Sequence, residues 1–278
     1  MMYLYLPVAD TKCYRLDDTM LFDTHAHYDS RAFASDRDQL LASLPANGVA
    51  LALNPGCELE SSREAVEYAR RFDHIYAAVG FHPSDIEKMD EAALCQLEEL
   101  AREPKVKAIG EIGLDYYWED YADRRTQNEG LDRQMELARK LNLPVIFHDR
   151  EAHADSMAAV RRHPEVTGVF HCYSGSVEQA LELADRGWMI SFTGALTFPN
   201  AKKPVEVAAA LPIECLMIET DAPYMIPYPR TPEDKKFRRN SSLRVYQVAA
   251  RLAEIKGLSL EEVARITTEN GKRFFRIP

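Results

Sequence analysis

The chain has 278 residues, 46% of them hydrophobic and 28% charged, with a formal net charge of -10. That balance fits one substantial globular core and excludes a disordered chain, while the acidic excess opposes a protein that coats DNA or an anionic membrane non-specifically. The five cysteines, Cys13, Cys57, Cys95, Cys172 and Cys215, are scattered without a C-x-x-C pair, which argues against a disulfide framework and fits a reducing cytoplasm.

Residues 1–20 include apolar residues but neither a basic leader nor a full apolar core of a signal peptide. They read as an appended segment, ahead of one domain over residues 21–278. No apolar run approaches the roughly 20 residues that a membrane helix needs, so a soluble, cytoplasmic protein with no membrane partner and no obligate protein partner is expected.

From residue 21 onward short apolar runs alternate with amphipathic stretches. The runs predict strands over Leu21–Thr24, Val49–Leu53, Ile75–Val79, Val106–Ile109, Pro144–Phe147, Thr167–Phe170, Trp188–Phe192 and Leu216–Ile218. Most are apolar on both sides, as in a parallel sheet covered on both faces. Helices are predicted over Asp36–Ala46, Glu60–Arg71, Asp90–Ala101, Arg125–Leu141, Asp149–Arg162, Val177–Arg186 and Lys203–Ala210, with Ser242–Ile255 and Ser259–Phe274 after the last strand. Ser259 and Glu262 have the spacing of a capping box, and Gly257 stands where the preceding helix should stop. The Pro-rich, basic stretch Tyr224–Arg239 reads as a long loop. Eightfold alternation predicts an α/β fold of the TIM-like (β/α)8 barrel type. An open doubly wound sheet competes, but no G-x-G-x-x-G follows the first strand.

The metal-capable residues fall at the C-terminal ends of these strands: His25 and His27, His82, Glu111, His148, His171, and Glu219 with Asp221. In a barrel those ends converge on one mouth, where active sites are built. Two residues apart on an extended chain, His25 and His27 point the same way and can reach one ion. His148 and His171 each close an otherwise buried run. Glu111 can offer one carboxylate oxygen to each of two cations. Asp221 can act as ligand, as general base for an attacking water, or as both, and Glu219 as a supporting group or ligand to a possible third ion. Imidazole and carboxylate donors without thiolate suit zinc, manganese or magnesium, and Cys172 reads as packing. A pair of such ions fits phosphoester hydrolysis, with Asp221 and Glu111 as the catalytic carboxylates.

The segments Asp23-Thr24-His25-Ala26-His27, Gly80-Phe81-His82-Pro83, Gly110-Glu111-Ile112-Gly113-Leu114-Asp115-Tyr116, Phe147-His148, Phe170-His171-Cys172-Tyr173-Ser174-Gly175 and Glu219-Thr220-Asp221-Ala222-Pro223-Tyr224 resemble the TatD family of metal-dependent deoxyribonucleases. The resemblance runs from about residue 20 to the C-terminus. It implies a metallo-dependent hydrolase barrel acting on DNA, single strands or 3′ ends, as a 3′–5′ exonuclease. It implies that His25, His27, Glu111 and Asp221 hold one divalent ion, and that Glu111, His148 and His171 hold a second, with Glu111 bridging. Glu111 on strand four, where related amidohydrolases often carry a carboxylated lysine, points away from that branch. The chain departs from the family at residues 1–20 and at Arg238-Arg239-Asn240-Ser241-Ser242, where relatives more often have Arg-Asn-Glu-Pro. On the rim, His82, Arg239 and Tyr116 are candidate substrate contacts. Tyr116, Tyr117 and Trp118 could form a stacking surface for a base, or pack against the rim. Two other functions remain open: hydrolysis of an ester or amide, such as an aminoacyl-tRNA, and a non-catalytic metal-binding scaffold.

Overall fold

A short run buried on both sides must pair its backbone groups with neighbouring strands and be covered above and below. The computed structural model, which describes residues 20–231, 234 and 239–278, shows that arrangement. Eight parallel strands follow one another in chain order: β1 (Leu21–Asp23), β2 (Val49–Pro55), β3 (Ile75–Val79), β4 (Val106–Asp115), β5 (Val145–Arg150), β6 (Gly168–Phe170), β7 (Met189–Phe192) and β8 (Leu216–Ile218). The ring joins where the Thr24 amide donates to the Ile218 carbonyl at 3.2 Å and Ala26 bridges in parallel to Ala222. The expected barrel is therefore the observed one.

Helices fill the connections: α1 (Arg37–Ser43), α2 (Leu59–Arg71), α3 (Glu91–Leu100), α4 (Arg124–Leu141), α5 (His153–Arg162), α6 (Val177–Asp185) and α7 (Lys202–Ala210). Two more, α8 (Val245–Lys256) and α9 (Leu260–Phe274), follow the last strand. The Ser259–Glu262 capping box forms, and Gly257 ends α8 in the left-handed region at φ 65°. No helix among the described residues is long and apolar enough to cross a membrane. The expected appended segment over residues 1–20 lies, apart from Met20, outside the described residues.

Two apolar layers follow from the alternation of side chains along a strand. Every strand sends one residue into an inner cluster: Phe22, Leu53, Ala78, Ala108, Ile146, Val169, Met189 and Met217. Phe275 and Ile277 from the C-terminus join it. A larger cluster joins the outer strand faces to the helices. The barrel interior is thus filled with side chains, with polar residues gathered at its mouth.

β4 and β5 run further than their apolar segments predict. Gly113 pairs with His148, Leu114 with Asp149 and Asp115 with Arg150, so Glu111 and His148 lie within strands and α5 starts at His153 instead of Asp149. Inward polar residues had broken the apolar run, but ladder pairing holds the backbone extended. Gly113 permits this approach: at φ 149° a Cβ would stand 1.9 Å from the His148 carbonyl oxygen. A side chain there would push apart the two strands that carry Glu111 and His148.

Candidate metal centre

β1 continues past its last ladder pair into His25, Ala26 and His27. The Asp23 carboxylate accepts from the Thr220 amide at 2.8 Å and from its hydroxyl at 2.6 Å, which locks the end of β1 to the segment after β8. Burial pushes the Asp23 carboxyl up to about 7, against hydrogen bonds from Ser242 and Thr220 that favour its charge. The Asp221 amide donates to the His25 carbonyl at 2.9 Å, and the His27 amide to the Ala222 carbonyl at 2.7 Å. Asp221 itself sits at φ 52°, a left-handed turn that aspartate tolerates better than most residues. Asn240 holds that turn, donating from Nδ2 to the Thr220 carbonyl at 3.0 Å.

The resulting geometry is two adjoining nests of ligand atoms. In the first, His25 Nε2 and His27 Nε2 are 3.0 Å apart. Glu111 Oε2 is 3.4 and 3.3 Å from them, and Asp221 Oδ1 is 3.9 and 3.6 Å away. In the second, His148 Nδ1 and His171 Nε2 are 3.2 Å apart and lie 2.9 and 2.8 Å from Glu111 Oε1. One carboxylate thus faces both nests with different oxygens. Four donors held tetrahedrally about 2.1 Å from an ion are separated by about 3.4 Å, close to the spacing in the first nest. The second offers three donors, fewer than a tetrahedral ion takes. Their edges and their hard, borderline chemistry fit divalent cations.

The supporting contacts are of the kind that orient ligand histidines. His148 Nε2 lies 3.1 Å from Asp115 Oδ2. Glu219 Oε1 lies 3.3 Å from His171 Nδ1 and accepts from the Cys172 amide at 2.8 Å. Cys172 contributes through its backbone, while its thiol rests 3.3 Å from the Thr193 hydroxyl. The rings of His25 and His171 stack at 4.0 Å, bringing the nests together.

Charges are balanced within this buried set. Burial would raise the Glu111 carboxyl, but the facing His171 and His25 and hydrogen bonds from His148 and His171 outweigh it and hold it well below the usual carboxylate range. Burial would lower His171, yet Glu111 and Glu219 hold it well above the usual imidazole value. Asp221 is pushed up, with burial outweighing the nearby His25, His171 and His27.

The rim candidates separate. His82 faces the mouth, with Nε2 3.8 Å from Glu111 Oε1. Its Nδ1 accepts from the Ser84 amide at 3.1 Å, so Nε2 is the nitrogen left to carry a proton. Burial, then His148, pushes the imidazole down to about 3, keeping it neutral. Tyr116 is committed elsewhere: its hydroxyl donates to Asp155 and accepts from Asn128, each at 2.8 Å, beneath the Arg124 guanidinium. Tyr117 and Trp118 are the exposed rings beside it.

Arg239 is likewise engaged. Both guanidinium nitrogens meet the Asp36 carboxylate at 2.6 Å, and the group lies 4.8 Å from the Phe33 ring centre. It straps the loop after β8 to the start of α1. Both side chains are partly exposed, so screening limits the pair, and Arg239→Ala is expected to cost about 1 kcal/mol in urea denaturation. A hydrogen bond from Arg239 depresses the Asp36 carboxyl. The contribution is therefore present above the unfolded aspartate value, about 3.9, and fades as pH falls through the lower folded value. A cycle with Asp36→Ala at pH 7 and in strong acid checks both; purely additive losses at pH 7 would overturn the pairing.

Asp115 and Cys57 are neighbours of the centre that the sequence reading did not single out. Asp115 had a usable signal, because residues 111, 113 and 115 share one face of an extended strand. Cys57, with Sγ 3.8 Å from His27 Nδ1 and 4.0 Å from Glu111 Oε2, had none: a lone cysteine after β2 looks like any other.

A family model described as TatD related DNase matches residues 22–276. The uncharacterized metal-dependent hydrolase YabD of Bacillus subtilis is 40% identical over 260 residues, covering 93% of this chain and 100% of that protein. The 3'-5' ssDNA/RNA exonuclease TatD of Salmonella typhimurium is 31% identical over 262 residues, covering 92% and 99%. Among solved structures, the TatD homologue YjjV of Escherichia coli superposes with a TM-score of 0.85 at 33% identity, covering 93% of this chain and 98% of that one.

Proposed function

This chain belongs to the TatD related DNase family of metal-dependent hydrolases, and from that premise we propose that it is a two-metal nuclease trimming single-stranded DNA from the 3′ end. The observation that carries the reading is the split of Glu111 between two nests, Oε2 toward His25 and His27 and Oε1 toward His148 and His171. Such a carboxylate serves a pair of cations, and a pair suits displacement at phosphorus, where attacking and leaving oxygens both develop charge. The Salmonella relative's name supports nucleic acid as the substrate and the 3′–5′ direction.

His25, His27, Glu111 and Asp221 would hold one ion, and Glu111, His148 and His171 the other. When bound, the ions supply Lewis acidity to the phosphodiester and acidify the attacking water. The protein's own groups do the rest. Asp221 takes a proton from that water on its second oxygen, the one not aimed at His25 and His27. His82 donates from Nε2 to a phosphate oxygen, its neutral tautomer fixed by the Ser84 amide. Asp115 and Glu219 keep the His148 and His171 rings aimed.

End-labelled single- and double-stranded DNA, incubated with magnesium, manganese or zinc, tests the reading. Stepwise shortening of the single strand from its 3′ end is expected, abolished by chelator. No cleavage of either DNA, with turnover of an aminoacyl-tRNA or a small amide instead, would overturn it.

A further inference from the structure

Among the described residues, exposed large apolar side chains are concentrated at the mouth. Of the seven large hydrophobic side chains exposed among the described residues, five are Tyr117 and Trp118 after β4, and Tyr224, Met225 and Tyr228 after β8. β4 and β8 stand four strands apart in an eight-stranded ring, hence on opposite sides of the metal centre. Each group connects inward through rings. Tyr224 lies 6.4 Å from His27 of the first nest. On the other side Trp118 lies 6.3 Å from Tyr121, Tyr121 lies 6.3 Å from His82, and His82 lies 4.5 Å from His148.

Core packing does not account for this surface. Tyr117 and Trp118 are each 46% exposed and Tyr224 is 59% exposed. The Arg150 guanidinium, which makes no ion pair among the described residues, stacks 3.8 Å from the Tyr117 ring centre and 5.3 Å from that of Trp118. Glu119 and Asp120 follow directly, so this side of the rim is ill-suited to track a phosphate backbone. Tyr117 stands edge-to-face against Trp118, with ring centres 4.9 Å apart and planes at 88°, so it props the indole rather than extending its plane. An exposed indole held in this way, and the exposed Tyr224 ring, suit the faces of nucleobases, which stack irrespective of sequence.

We propose that Trp118, propped by Tyr117 and Arg150, and Tyr224 on the opposite wall are two stacking platforms that hold unpaired bases on either side of the phosphodiester being cut. This rests on the nuclease reading and deepens it. It assigns the preference for single strands to the protein's rim, because paired bases have their faces occupied by neighbours in the helix. It also makes substrate selection indifferent to sequence.

The test is a cycle between protein and substrate. Trp118→Ala, Tyr224→Ala and wild type are assayed on one single-stranded oligonucleotide, intact or with abasic residues flanking the bond that is cut. Thermal unfolding and metal content establish that each variant folds and loads. Each variant is expected to raise KM about ten-fold on the intact strand and little on the abasic one, while the abasic strand costs the wild type about as much. Trp118→Phe should keep most of the affinity. Equal losses by a variant on intact and abasic strands, or no loss on either, would overturn the platforms while leaving the nuclease reading standing. A wild type that hydrolyses methyl p-nitrophenyl phosphate but no oligonucleotide would remove that reading, and the platforms with it.

Discussion

Glu111→Gln is expected to lower kcat/KM by roughly a thousand-fold or more, a barrier increase of about 4 kcal/mol, and to strip divalent metal from the protein. The reason lies in what the substitution can replace. Glutamine keeps the shape and one carbonyl oxygen, but presents an amide N–H2 where a second anionic donor stood. One nest would retain a neutral ligand; the other would face two N–H protons. Glu111 lies 3.4 and 3.3 Å from His25 and His27 and 2.9 and 2.8 Å from His148 and His171, and among the described residues it is the carboxylate that faces both pairs. Metal analysis by mass spectrometry and steady-state turnover would be measured on the same preparation. A second readout separates lost metal from lost fold. Ions that bind only the native state at a hundred times their dissociation constant stabilise it by about 2.7 kcal/mol, so chelator should lower the wild-type melting temperature. In Glu111→Gln that chelator-dependent shift should largely vanish while the chelated proteins melt alike. Unchanged turnover with full metal content would remove Glu111 from the centre and the two-ion mechanism with it.

The barrel was legible because its signals are local and repeated. Doubly apolar runs such as Ile75–Val79 and Leu216–Ile218 became β3 and β8 without change, since covering both faces demands continuous hydrophobicity. The grouping of the candidate site was legible for a related reason. Chemistry in this fold collects where strands end, so residues as distant as His25 and Asp221 could be grouped before their contact was seen. What escaped were features whose cause is tertiary. β4 was read as stopping at Ile109, because Gly110, Glu111, Gly113 and Asp115 interrupt the apolar pattern; pairing with β5 through Asp115 and Arg150 keeps it extended. Those interruptions are the face of the strand that carries the candidate ligand Glu111 and its neighbour Asp115. Arg239 looked like a free cation on a loop, and only the arrival of Asp36 from some 200 residues away commits it. The same holds for Asn240: nothing local shows that its amide would support the turn at Asp221.

That turn makes Asp221→Asn the substitution that separates ligand from base. Asparagine accepts the left-handed backbone at φ 52° about as readily as aspartate, whereas alanine would add strain to the loss of the carboxylate. Its carbonyl oxygen can take the place of Oδ1, which stands 3.9 and 3.6 Å from His25 and His27 Nε2. Those imidazoles and Glu111 remain, so most of the metal should stay bound. What asparagine cannot do is accept a proton. Removing a general base typically costs 100- to 10,000-fold, and a loss of about a thousand-fold in kcat is expected here with KM little changed. The pH profile is the sharper readout. In the wild type, activity should fall in acid as the Asp221 carboxylate becomes protonated and can no longer take the proton of the attacking water. In Asp221→Asn the residual rate should lose that limb. Metal loss in proportion to the lost activity would make Asp221 chiefly a ligand. Full metal occupancy with undiminished turnover would mean that the proton leaves the attacking water by another route.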